Sequence, residues 1–191
     1  MRKLIATEYL TLDGVMEAPG EETSLGAQGG WSFLFSNEEH SKFKFDELFA
    51  SDALLLGRVT YEIFAATWPS RTGEFADRIN SLPNYVVSTT LEKAEWNNSH
   101  LIKDAQRIVE EVVKLKEQPG QNILIYGSAD LVDTLRQHNL IDEYHFMVYP
   151  IVLGIGKRLF KDGNSTTLTL VESLTFSTGV VVLIYQPGTK E

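Results

Sequence analysis

A short apolar run that ends in glycine and opens directly into a helix constrains this chain more than any other feature. Ala53, Leu54, Leu55 and Leu56 are followed by Gly57, Arg58, Val59 and Thr60, and then by the helix-forming Tyr61 and Glu62. A buried strand turning into a helix leaves unpaired N–H groups and the positive end of the helix dipole at the junction. Arg58 adds a permanent cation whose planar fork suits phosphate oxygens, and Thr60 adds a hydroxyl in the first turn. Ile123, Leu124, Ile125 and Tyr126, followed by Gly127, Ser128, Ala129 and Asp130, repeat the arrangement. Two such junctions point to a ligand with several phosphates, for which a dinucleotide is the natural candidate.

The rest of the chain alternates strand and helix patterns. Strands are expected at Lys3 to Thr7, Ala53 to Leu56, Asn84 to Ser88, Ile123 to Tyr126, Glu143 to Val148 and Thr167 to Val171. Thr175 to Ser177 and Val180 to Tyr185 read as a closing hairpin turning at Thr178 and Gly179. Asn37 followed by Glu38 and Glu39 predicts a helix start, with the helix running to Phe49 and burying Phe43. Further helices are expected at Tyr61 to Ala66, Glu74 to Asn80, Asp104 to Glu117 and Ser128 to His138. Ile108, Val112 and Leu115 supply an apolar stripe for the third of these. This order predicts a three-layer α/β domain spanning residues 1–191, with a largely parallel sheet and antiparallel C-terminal strands. Ligands of such sheets bind at the carboxyl ends of the strands, where Gly57, Ser88 and Gly127 fall.

Composition narrows the partners. A net charge of -9 argues against a nucleic-acid surface, although a pocket with local positive charge could still take an anion. There is no cysteine, which removes disulfides, thiolate metal ligands and thiol chemistry. His40, His100, His138 and His145 lack metal-ligand spacing, so no metal is expected. No stretch reaches signal-peptide or transmembrane length, and the expectation is a soluble, cytoplasmic protein without membrane contact.

Four stretches in order resemble the dihydrofolate reductase fold, and more closely the reductase domain of bacterial riboflavin biosynthesis. They are Thr11 to Met16, Leu56 to Glu62, Val86 to Leu91, and a longer one from Tyr126 to Ala129 through Leu140 to Glu143 to Pro150 to Phe160. The resemblance implies NADPH-dependent hydride transfer to a small heterocyclic or ribose-derived substrate. It places Arg58 and Ser88 at the adenosine 2′-phosphate, and Gly57 and Thr60 at the pyrophosphate. Gly127, Ser128 and Ala129 would bring a second helix start to the pyrophosphate and nicotinamide. Thr7, Gly14, Val15 and Met16 would surround the nicotinamide, the last three within a loop that closes over it. Asp13 in that loop is the candidate proton donor, a bound water being the alternative, and Asp–Gly is equally a turn pair. The resemblance also implies a homodimer.

The chain departs from the family pattern at several places. Relatives often carry arginine where this chain has Thr89, and dihydrofolate reductases usually have glycine where it has Tyr126. The pterin-binding acid of dihydrofolate reductases lies on the helix before the Gly–Arg strand, which here offers Glu38, Glu39 and Asp46. A solvated helix face is the other reading of those three. Lys157 and Arg158 are the candidates for a ribose phosphate. Trp31 belongs either to the core or to the cleft wall, Trp68 to a helix end, and Gly154 to Gly156 to a tight turn. Two other functions stay open: a dinucleotide-binding module without turnover, and a true 5-amino-6-(5-phosphoribosylamino)uracil reductase. The latter usually accompanies a zinc deaminase, for which this chain has no thiolates.

Overall fold

In the computed structural model, residues 1–20, 24–103, 107–163 and 165–188 are described. Asp104, expected to cap a helix, lies outside them. Strands β1 (Leu4–Thr11), β2 (Ser51–Gly57), β3 (Asn84–Val87), β4 (Ser99–Ile102), β5 (Asn122–Tyr126), β6 (Glu143–Tyr149), β7 (Leu168–Thr175) and β8 (Val181–Pro187) form one sheet. Its order is β4-β3-β2-β5-β1-β6-β8-β7. The strands from β4 through β6 are parallel, and β8 pairs antiparallel with both β6 and β7. The predicted fold class holds: a mostly parallel sheet with antiparallel C-terminal strands.

Helices cover both faces because successive strand residues point opposite ways. Ile5, Leu54, Leu56 and Leu124 pack beneath α1 (Glu38–Phe49), α2 (Arg58–Thr67) and α3 (Glu74–Ser81), with Leu48, Tyr61 and Ile79 as their contacts. Leu4, Ala6, Leu55, Ile123 and Ile125 face α4 (Ile108–Glu117) and α5 (Ala129–Gln137), which contribute Val112, Leu115, Val132 and Leu135. Central strands buried on both faces read as continuous apolar runs, as Leu54 to Leu56 and Ile123 to Ile125 do. A third cluster joins Trp31 to Met147, Tyr149, Phe176 and Val182 near the antiparallel end. Trp31 is therefore core, and Trp68 packs at the end of α2 against Phe64 and Phe75.

Several elements differ from expectation. Strand β4 carries no continuous apolar run; Ser99 and His100 are polar, and its pairing with β3 alone holds it. β1 continues to Thr11 because its second half pairs with β6 up to Tyr149. The segments at Thr167 and Thr175 merge into β7, whose register shifts between Leu170 and Glu172. Helix α2 begins at Arg58 rather than Tyr61, immediately after the strand glycine.

Candidate functional site

The two glycine junctions meet. Leu56 pairs with Tyr126 across β2 and β5, so Gly57 and Gly127 leave the sheet side by side. Their helices then depart to opposite faces, α2 toward the Ile5 side and α5 toward the Leu4 side. A crevice between neighbouring strands whose helices diverge is where open α/β sheets bind ligands. A cavity of about 190 Å³ sits there, lined by Gly57, Arg58, Val87, Ser128, Asp130 and Leu131 among others. Both glycines are required by close approach. A β-carbon on Gly57 would lie 2.8 Å from Ser128 Oγ, and one on Gly127 would lie 2.6 Å from Thr60 Oγ1. Gly127 also has φ +49°, a left-handed conformation that side chains resist.

Around this crevice the predicted residues take these positions. Ser128 caps α5, its hydroxyl accepting from Leu131 N, and Ala129 is buried in the first turn. Arg58 is half-exposed and pairs with Glu62 one turn on, at 2.8 Å. Gly57 pairs with Val87, which sets Ser88 beside Arg58 at the strand ends. The Ser88 hydroxyl accepts from Leu91 N at 2.9 Å and Thr90 N at 3.2 Å, and Thr89 is exposed. Ser88 thus shapes its own turn. Lys157 and Lys161 bond Asp130 at 2.6 Å each and hold its carboxyl down to about 2.

The loop after β1 is tied down at both ends. Val15 bridges Arg158, Met16 N donates to Lys157 O, and Leu159 N donates to Gly14 O. Asp13 accepts from Thr11 Oγ1 at 2.6 Å, Gly154 N at 2.8 Å and Leu153 N at 3.2 Å. The Thr11 bond leads these in holding its carboxyl down to about 2. Arg158 Nε donates to Asp13 O at 2.9 Å. Asp13 therefore joins the loop to the 153–158 segment as an ionised group.

The polar feature that the sequence reading passed over lies on α1. His40, Lys44 and Glu47 recur at helical spacing and face the sheet, between the Ile5 and Trp31 clusters. Glu38, Glu39 and Asp46 lie outside this stripe and are exposed or partly so. Lys44 and Glu47 form a buried ion pair. Thr7 Oγ1 accepts from Lys44 Nζ at 2.8 Å and donates to Glu47 Oε2 at 3.0 Å. Glu47 Oε1 meets His145 Nδ1 at 2.7 Å. Burial alone would raise the Glu47 carboxyl; the Lys44 charge and the His145 bond outweigh it and hold it below its usual range. Lys44 Nζ lies 4.6 Å above the Tyr126 ring and 5.5 Å from that of Tyr9. Tyr126 Oη is buried without a hydrogen-bond partner, and burial raises its pKa. Burial, followed by the Lys44 charge, lowers His40 to about 4.

Thr7, Tyr126 and His145 share one row across β5, β1 and β6. That row is one residue short of Gly127, so the charged stripe lies one residue along the strands from the glycine junction, on the α1 face. On the other face Glu8 is buried, its Oε2 accepting from Gly127 N at 3.2 Å while Oε1 has no partner. Burial pushes its carboxyl up to about 8, so it carries a proton at neutral pH. Among the described residues no cluster of side chains could hold a metal ion, and no helix is long and apolar enough to cross a membrane.

Known proteins match this architecture. The uncharacterized protein YyaP of Bacillus subtilis (strain 168) is 32% identical over 190 residues, 96% of this chain and 94% of the relative. A putative riboflavin biosynthesis protein from Shewanella sp. PV-4 superposes with a TM-score of 0.76 at 20% identity, over 98% of this chain and 99% of that one. Dihydrofolate reductase from Enterococcus faecalis, solved with NADP(H), gives 0.63 at 14% identity, over 98% and 97%. The model of the RibD C-terminal domain matches residues 2–182, and the chain belongs to that family.

Proposed function

We propose that this chain is a cytoplasmic NADPH-dependent reductase that transfers hydride to a C=N or C=O bond of a small heterocyclic or ribose-derived substrate. The observation that carries the reading is the pair of glycine junctions, packed too closely for any side chain and opening on one cavity between two helix starts. Such a crevice suits a pyrophosphate, because backbone N–H groups and two helix dipoles converge on it. Gly57, Thr60, Gly127, Ser128 and Ala129 would hold the pyrophosphate. Arg58, with Ser88 and Thr89 beside it, would meet the 2′-phosphate. Thr7, Gly14, Val15, Met16 and Tyr126 would border the nicotinamide.

When bound, NADPH supplies the hydride; the chain supplies orientation, exclusion of water and a proton. Asp13, ionised and bonded to the loop backbone, serves loop closure better than proton donation. The chain is also proposed to be a homodimer, since β7 is a long edge strand with Leu170 and Val171 exposed.

Steady NADPH oxidation with a pterin, an aminopyrimidine or a small carbonyl would support the reading. Tight binding of NADPH without oxidation by any of them would favour a dinucleotide-binding module. Oxidation confined to 5-amino-6-(5-phosphoribosylamino)uracil would make it the riboflavin-pathway reductase. Arg58→Ala is expected to weaken NADPH about tenfold or more and NADH far less, since a charge-assisted phosphate contact contributes on the order of 1.5–3 kcal/mol. Equal loss for both cofactors would remove Arg58 from the 2′-phosphate.

A further inference from the structure

A chain of ionisable groups crosses the α1 face of the sheet, from beside the Tyr126 ring to the rim where β6 begins. It starts at Lys44, over Tyr126 at the carboxyl end of β5. It continues through Glu47 to His145 Nδ1 at 2.7 Å. His145 Nε2 is buried with no hydrogen-bond partner and faces Glu143 Oε1 at 3.5 Å. Glu143 begins β6 and pairs with Lys3, whose side chain is 53% exposed. The interior members are almost completely enclosed: side-chain exposure is 7% for Lys44, 4% for Glu47 and 11% for His145. Apolar residues of similar volume would serve stability as well or better at such positions. A buried ion pair that ends on an orphaned imidazole nitrogen at one side and a donor at the other calls for a different explanation.

We propose that Lys44, Glu47 and His145 form a proton relay that feeds the substrate cleft from the rim of the sheet beside Glu143 and Lys3. This rests on the reductase reading above. Reduction of a C=N or C=O bond sends the π electron pair to the heteroatom, which must gain one proton. Two of the Lys44 N–H groups go to Thr7 and Glu47, and the third has no nitrogen or oxygen partner among the described residues. Lys44 is the catalytic residue of the relay: its Nζ gives up the proton as the N–H bond breaks and the bond to the heteroatom forms. The neutral amine regains a proton through Glu47 from His145 Nδ1. His145 regains one at Nε2 by way of the Glu143 carboxylate, 3.5 Å away, which takes it from solvent at the rim, so each turnover draws one proton from water. Glu47 and His145 act as positioning and relay residues. The arrangement supplies protons to a cleft closed by cofactor and loop, where bulk water has no access.

The test combines His145→Ala and Glu47→Gln with the wild-type chain. NADPH-loaded protein is mixed in single turnover with 7,8-dihydrobiopterin, a C=N acceptor, or 4-nitrobenzaldehyde, a C=O acceptor. General acid catalysis contributes on the order of 10²–10⁴-fold, and His145→Ala is expected to slow oxidation by about 100-fold or more with NADPH affinity unchanged. Added imidazole is expected to restore much of the rate, and wild-type turnover to slow in D₂O. A readout independent of activity is the His145 Nδ1–H proton resonance in cofactor-free protein, expected at low field and lost in Glu47→Gln. The relay is overturned by a His145→Ala rate close to wild type, by a loss that imidazole does not relieve, or by absence of that resonance. NADPH binding with reduction of neither acceptor overturns it too. Failure to bind NADPH overturns instead the reductase reading beneath it.

Discussion

Two acidic side chains, Glu8 within β1 and Asp13 just after it, show how environment rather than residue type decides role. Asp13 sits among N–H and O–H donors and stays ionised; Glu8, walled in with one backbone donor, stays protonated. Between pH 4.5 and about 8 the folded chain keeps a proton on Glu8 that the unfolded chain releases. The stability that this group contributes is therefore present in full below 4.5 and lost as pH rises through 8. Glu8→Gln keeps an acceptor for Gly127 N and removes the titration. It is expected to melt with the wild type near pH 5 and above it at pH 9, by about 5 °C or more for a chain of this size. Parallel melting curves at both pH values would show that Glu8 is solvated. Sequence could not reveal the state of Glu8, because burial on a strand is set by what packs above it. The same holds for Glu47: acids were visible on the first helix, but which of them faced the sheet depended on helix phase. His40, Lys44 and Glu47 at helical spacing were the available signal, and a polar inner stripe is easily read as a solvated face.

At the scale of elements, local chemistry was legible wherever backbone geometry is demanding. Asn37 as a helix cap, Ser128 as another, and both glycine junctions follow from orphaned N–H groups and from glycine's small size. Strand β4 was hidden, since a short strand held by one neighbour needs no apolar run. Asn37 Oδ1 accepts from His40 N at 2.9 Å. Asn37→Ala should cost about 1 kcal/mol and lower the melting temperature by about 2–4 °C, with NADPH affinity unaffected. A larger drop accompanied by lost cofactor binding would mean that the cap also sets the position of the α1 stripe. Gly127→Ala differs in kind. Its β-carbon would meet Thr60 Oγ1 in a left-handed backbone, a strain of about 1–2 kcal/mol, and NADPH binding should fall with stability. A Gly127→Ala chain that keeps wild-type affinity would detach this turn from the cofactor.

Across the whole molecule, the alternation of strand and helix patterns fixed the layers, and the order of four motifs fixed the family. Parallel sheets buried on both faces announce themselves in sequence; an edge does not. β7 leaves Leu170 and Val171 exposed on an eight-residue outer strand, an arrangement that invites a second copy. Sedimentation should give twice 21.5 kDa, and Val171→Lys should halve it. A 21.5 kDa species for the unaltered chain would remove the dimer. Titration of the purified wild-type chain with NADPH and with NADH, followed by nicotinamide fluorescence, decides whether the paired glycine crevice is a dinucleotide site selective for the 2′-phosphate. Saturable binding is expected, with NADPH preferred by about tenfold or more. Absence of binding by either cofactor would contradict that assignment.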